Sequence, residues 1–154
     1  MNPITSEIWQ KITRYCAYQE RCHFEVKIKL RELGATAEVQ DEILVKLIAD
    51  NYLNEERFAR TFARGKSRIK SWGKNKITAE LKQRGISQTV INLALAEIEQ
   101  EYRENFEKTA TKIFEQTTEK NVLKKRKKCC DYLLRRGYES DLVYEFVTKL
   151  EKGN

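Results

Sequence analysis

The chain has 154 residues, 40% hydrophobic and 34% charged, with a formal net charge of +7. That is room for one ordinary domain or a short array of small modules, not for a large enzyme, and the positive balance points to an anionic partner: nucleic acid, an acidic protein or an anionic surface. No stretch reaches the roughly 18 consecutive apolar residues of a membrane span, and the opening MNPITSEIWQ lacks the basic and apolar regions of a secretory signal, so a cytoplasmic place off the membrane is expected.

Almost no run alternates apolar with polar residues, and the single proline, Pro3, stands outside every periodic segment, so the chain reads as all-α. In chain order, Ile4, Ile8, Trp9 and Ile12 predict a helix over about 5–17, and a second ends near Gly34. The segment 36–51 puts Val39, Ile43, Leu44, Leu47 and Ile48 on one face behind Thr36 as N-cap. A helix over 54–70 follows, opened by Asn54 with Glu55 and Glu56 in its first turn and striped by Phe58, Phe62 and Ile69. Next come helices at 74–84 and 87–98, one at about 101–116 carrying Tyr102, Phe106 and Ile113, and two more around a turn at Gly137.

The pattern occurs three times. Leu30-Arg-Glu-Leu-Gly34, Leu81-Lys-Gln-Arg-Gly85 and Leu133-Leu-Arg-Arg-Gly137 each place a leucine four residues before a glycine, and apolar residues follow each glycine at matching distances. A helix that ends on a residue with φ > 0 accounts for this, because glycine takes that conformation without steric cost and a short turn then starts the next helix. Thr36, Ser87 and Ser140 are the expected caps of the helices after the turns, Ser140 one position later than its counterparts. The expected architecture is a tandem array of three three-helix repeats, elongated or curved, with modules at 1–53, 54–100 and 101–154.

The charge is concentrated. Residues 54–86 carry ten basic and three acidic side chains and residues 123–138 seven and one, whereas 1–53, 87–122 and 139–154 are each net acidic. In the first block Arg57, Arg60, Arg64 and Arg68 recur at helical spacing as a guanidinium ridge. In the second, Lys124, Lys128 and Arg135 share a line flanked by Lys125 and Lys127, while Arg126 falls on the apolar side. Guanidinium forks suit phosphates and carboxylates, and every phosphate they neutralise makes binding salt-sensitive. Glu97, Glu99 and Glu101 read as a solvated acidic face.

Reactive chemistry is sparse. His23 has no nucleophile constellation around it, there is no phosphate-cradling glycine loop and no metal motif, and no cofactor is expected. Cys16, Cys22, Cys129 and Cys130 have neither zinc spacing nor a disulfide pattern and read as reduced packing thiols. The chain is expected not to be an enzyme.

Two segments carry a resemblance. Tyr52-Leu53-Asn54-Glu55-Glu56-Arg57-Phe58-Ala59 is similar to Y-L-[DN]-[DE]-x-R-F-A, and Gly73, Ile77, Glu80-Leu81 and Arg84-Gly85-Ile86 are similar to G-x-x-x-I-x-x-E-L-x-x-[KR]-G-I, both of the RecX family, bacterial regulators of the RecA recombinase. The sequence departs from the family pattern at Leu33-Gly34-Ala35 in the first turn. The resemblance implies a three-repeat helical protein lying along the groove of the RecA filament on DNA and limiting ATP hydrolysis, strand exchange and the coprotease activity behind the damage response; a monomer is expected. Binding of single- or double-stranded DNA would be weak and non-specific. Charge and resemblance together nominate Arg57, Arg60, Arg64, Arg68, Lys70, Lys74, Lys76, Arg84, Lys124, Lys125, Lys127 and Lys128 as partner- or nucleic-acid-binding residues. The alternative is a helical nucleic-acid-binding protein acting without RecA. A helix-turn-helix outline at 74–98 suggests it, but the would-be recognition helix has no Lys or Arg to meet phosphates.

Overall fold

The computed structural model describes residues 2–153 and folds them into α1 (Pro3–Tyr18), α2 (His23–Glu32), α3 (Ala37–Ala49), α4 (Glu55–Arg68), α5 (Lys74–Gln83), α6 (Gln88–Gln116), α7 (Val122–Arg135) and α8 (Ser140–Glu151). These form three three-helix units, α1–α3, α4–α6 and α6–α8. Eight helices suffice because α6 is both the last helix of the second unit and the first of the third. The separate helices expected at 87–98 and 101–116 are one 29-residue helix. No glycine or proline interrupts it, and Ile98, Tyr102, Phe106 and Ala110, four residues apart, carry one buried stripe across the expected module boundary at 100/101.

The three repeated turns share one geometry. Gly34, Gly85 and Gly137 have φ of +86°, +77° and +95°. In each turn the amide of the residue after the glycine donates to the carbonyl of the leucine four before it: Ala35 N to Leu30 O at 3.0 Å, Ile86 N to Leu81 O at 3.1 Å, Tyr138 N to Leu133 O at 3.2 Å. The glycine amides donate to Arg31, Lys82 and Leu134 carbonyls at 3.0 Å each. This is the Schellman closure, in which the apolar residue after the glycine covers the leucine before it. All six of those side chains are buried, which is the physical content of the Leu-x-x-x-Gly repeat.

Caps set the helix starts. Asn2, Thr36, Asn54, Ser87 and Asn121 each accept from a backbone amide three residues on. The expected Ser140 cap is corrected: Glu139 occupies the N-cap position of α8 without capping through its side chain, because its carboxylate accepts from the buried Tyr102 hydroxyl. Pro3, expected outside any helix, sits in the first turn of α1, where its missing N–H costs nothing. Three residues assigned to apolar stripes are solvent-exposed: Ile4 at 72%, Ile48 at 45% and Ile69 at 80%. Each lies at or near a helix end, beyond the reach of the neighbouring helix; Ile69 is already the C-cap of α4.

The core is in two parts. Ile8, Ile12, Val26, Leu30, Ile43 and Leu47 close the first module, while a second, continuous cluster runs through the other two units from Phe58 and Ile77 to Phe106, Leu133 and Val147. Each fully buried leucine or isoleucine contributes about 1.5–3 kcal/mol. The second and third units are also tied through their backbones. Gly73 N donates to Arg136 O at 2.7 Å and Asn75 N to Gly137 O at 2.9 Å, an approach so close that a Cβ on Gly73 would lie under 3.0 Å from the Gly137 backbone. Lys74 N also donates to the Tyr102 hydroxyl oxygen at 2.9 Å. The first module reaches the second through Cys22, which is buried in that second cluster, and through polar bridges: Arg57 Nε to Glu20, Arg57 Nη2 to Asn51 O at 3.1 Å, and His23 Nδ1 to Glu55 at 3.5 Å.

Candidate interaction surface

The first basic block is built on α4. Ala59, Ala63 and Ser67, four residues apart and buried, let α4 approach α6 closely. The next residue in each turn is Arg60, Arg64 or Arg68, so the guanidinium ridge runs down the flank of the α4–α6 seam rather than out into solvent. Arg60 Nη1 and Arg64 Nη1 each donate to a different oxygen of Glu97 at 2.5 Å, and Arg68 Nε donates to Glu101 at 2.5 Å. Arg57 turns the other way, to Glu20 of the first module. The two hydrogen bonds from Arg60 and Arg64 hold the Glu97 carboxyl below its ordinary range, and Glu97 in turn raises the Arg60 guanidinium.

The acidic face expected at Glu97, Glu99 and Glu101 is therefore corrected. Those carboxylates are the counter-ions of the first basic block, Glu99 taking Lys74 at 2.5 Å. Charge counting along the chain missed this because the two partners are some 33 residues apart in sequence.

The other nominated residues divide by what they touch. Arg84 pairs with Glu80 at 2.9 Å and lies 4.9 Å from the Phe62 ring centre; Lys127 pairs with Asp131 at 2.9 Å and Lys128 with Glu119 at 3.2 Å. Lys76 stands over the Trp72 ring at 4.5 Å and Lys125 over Phe114 at 3.9 Å, each without a carboxylate among the described residues. Lys70 and Lys124 are exposed. Arg126, which no wheel accounted for, makes a bidentate pair with Glu151 at 2.6 and 2.5 Å, tying the start of α7 to the end of α8 and lowering the Glu151 carboxyl.

The Gly73–Gly137 approach brings parts of both basic blocks together. Arg136 Nη1 donates to Lys70 O at 3.2 Å, and Lys66 and Lys76 stand over the Trp72 ring at 4.8 and 4.5 Å. Lys124 to Lys128 lie toward the opposite end of α7, roughly 12–18 Å from Arg136 along its axis. Sequence reasoning passed over Lys66 and Arg136. The usable signal was Trp72 beside Gly73, an aromatic next to a breaker in a lysine-rich segment.

Nothing in this surface is arranged for covalent chemistry. All four cysteines are free and buried; burial pushes the thiols of Cys16 and Cys22 up to about 11 and raises that of Cys130. Adjacent Cys129 and Cys130 are both covered because α7 packs against α6 on one side and α8 on the other. Among the described residues no group of three or more His, Cys, Asp or Glu could hold a metal ion, and no helix is long and apolar enough to cross a membrane. At the start of α6, Gln88 and Asn92 bond each other at 2.9 Å and no cation occurs before Arg103, so the segment that would be the recognition helix offers phosphates no cationic side chain.

Comparison with known proteins places these units. Residues 54–95 match the family model described as RecX, second three-helix domain, and residues 99–147 that of RecX, third three-helix domain. The regulatory protein RecX of Haemophilus influenzae (strain PittGG) is 28% identical over 145 residues, covering 94% of this chain and 95% of the relative. That of Bacillus cytotoxicus is 26% identical over 139 residues, covering 90% of this chain but 52% of the relative. A crystal structure of regulatory protein RecX superposes with a TM-score of 0.83 at 24% identity, covering 95% of this chain and 73% of the other. RecX from Lactobacillus salivarius superposes at 0.79 and 22% identity, covering 98% and 99%. At these identities the two structures speak for the fold.

Proposed function

The chain belongs to the RecX family of regulatory proteins, and from that premise we propose that it is a non-enzymatic inhibitor of the RecA recombinase. It works in the cytoplasm as a monomer, binding the RecA filament on DNA and limiting ATP hydrolysis, strand exchange and coprotease activity. The observation that carries this is the match of its second and third modules to the family's own second and third domains. The modules are taken as 1–53, 54–100 and 101–154, the last two sharing α6.

The ion pairs support a division among the nominated cations. The guanidiniums of Arg57, Arg60, Arg64 and Arg68 already have carboxylate partners, that of Arg57 in the first module and those of the other three on α6. Lys70, Lys76, Lys124 and Lys125 have none among the described residues, so they can neutralise a partner's charge without breaking an internal pair there. Contact with DNA is weak and non-specific on this reading, a few phosphates met by lysines that add a salt-dependent increment to a protein–protein contact.

The test is co-sedimentation with RecA assembled on single-stranded DNA with a slowly hydrolysed ATP analogue, across a salt series. The wild-type chain binds, and the variant with Lys70, Lys76, Lys124 and Lys125 all changed to glutamine binds more weakly with a shallower salt dependence. Equal binding and equal slope for both proteins would remove the electrostatic part of the proposal.

A further inference from the structure

Between the corner that joins α1 to α2 and the outer face of α4 and α5 lies a groove of about 420 Å³, within the range of sites that bury a ligand. Its floor is apolar: Phe58 and Phe62 stack at 5.6 Å, and Ile69 stands 80% exposed at the rim. Its two walls differ in charge state. On the first-module wall, Glu20 is taken by Arg57, and Glu25 by the Cys22 amide at 3.4 Å, the Cys22 thiol at 3.2 Å and Arg21 at 3.8 Å. On the α4 wall, Lys66 and Lys70 have no carboxylate within 4.0 Å among the described residues, unlike every arginine of the same helix. The groove therefore has paired anions, unpaired cations and one fully presented apolar side chain, Ile69, at its rim.

We propose that this groove docks an acidic amphipathic segment of a protein partner, seating an apolar side chain on Ile69 and a carboxylate between Lys66 and Lys70. Charge complementarity selects an anion, and ring geometry selects a peptide over a nucleic acid. A base needs a free aromatic face to stack on. Phe62 has Phe58 against it, Arg84 at 4.9 Å and Lys66 at 5.4 Å, while Trp72 meets it edge-on and carries Lys66 at 4.8 Å and Lys76 at 4.5 Å. A nucleobase would have to displace those cations from the rings. A carboxylate instead approaches Lys66 from the side away from the rings, and an aliphatic side chain covers Ile69. Because the groove has one wall in each module, an occupant also fixes the first module against the second. The inference rests on the chain acting on a protein partner, and its test is separate from the recombinase reading because no recombinase is present.

The experiment is a titration of the isotope-labelled full chain, followed by amide chemical shifts, with two probes of equal charge: a synthetic peptide alternating leucine with paired glutamates, and oligo(dT). The peptide should shift Gly65, Lys66, Ile69 and Lys70 in a saturable manner. Lys66→Gln/Lys70→Gln should weaken it at least tenfold and Ile69→Ser several-fold. Both variants should keep wild-type circular dichroism, since Lys70 and Ile69 are exposed and Lys66 half-buried. No saturable shift with the peptide overturns the proposal; so does oligo(dT) shifting the same amides as strongly, and so does unchanged peptide affinity in the folded variants.

Discussion

Replacing Gly73 with alanine tests the way the second and third units are joined. Gly73 has an ordinary φ of −83°, so the substitution carries no backbone strain of its own. The added Cβ, however, would meet the Gly137 carbonyl and the Tyr138 amide at under 3.0 Å. Reaching an ordinary carbon contact of about 3.5–4.0 Å requires the two turns to part by on the order of 1 Å. That stretches the 2.7 Å bond from Gly73 N to Arg136 O and the 2.9 Å bond from Asn75 N to Gly137 O beyond useful length. At about 0.5–1.5 kcal/mol net for each bond, with more where a buried partner is left unsatisfied, the cost is about 2–4 kcal/mol. The control is Gly85→Ala. Gly85 does have positive φ, but its Cβ would meet nothing within 4 Å, so only the left-handed penalty of about 1–2 kcal/mol applies. Urea unfolding followed by circular dichroism measures both. The reasoning is refuted if Gly73→Ala costs no more than Gly85→Ala.

Three further outcomes follow from particular contacts. Glu97→Gln should lower stability by a constant amount from pH 5 to 8. Because Arg60 and Arg64 depress the folded-state pKa of Glu97, the contribution is fully present above the unfolded value near 4.3 and is lost as pH falls through the lower folded value. A pH-stability comparison in which the wild-type advantage grows under acid would contradict this. Arg126→Ala should loosen the end of α8, read as faster amide exchange at Thr148 to Glu151 with little change in α4; protection unchanged at those amides would deny the Arg126–Glu151 tie its role. With a thiol reagent and no reductant, all four cysteines should be slow in the native protein and all four should react after denaturation. Two or fewer reactive thiols in the denatured chain would mean a disulfide.

The fold was legible where local chemistry decides it. The Leu-x-x-x-Gly pattern holds both a left-handed glycine and the leucine that its Schellman partner covers, so three turns and the helices around them could be placed from spacing alone. The fusion of two expected helices into α6 was not seen because a boundary was set by counting repeats, although no residue between Gln88 and Gln116 breaks a helix. The candidate site was harder to read. Arg60, Arg64 and Arg68 were found on one stripe, but their partners Glu97 and Glu101 come from a helix whose approach depends on Ala59 and Ala63, a tertiary fact that periodicity on α4 does not contain. Likewise Gly73 carried no signal of φ or turn type; it is small because another unit's backbone lies against it.

The central claim is most directly tested by the rate of ATP hydrolysis by RecA on single-stranded DNA, measured while the purified chain is titrated in. The account predicts a fall in rate that saturates with added protein and is weakened in the Lys70, Lys76, Lys124 and Lys125 to glutamine variant. A rate unchanged by the folded wild-type chain at every concentration, at low as at physiological salt, would contradict it.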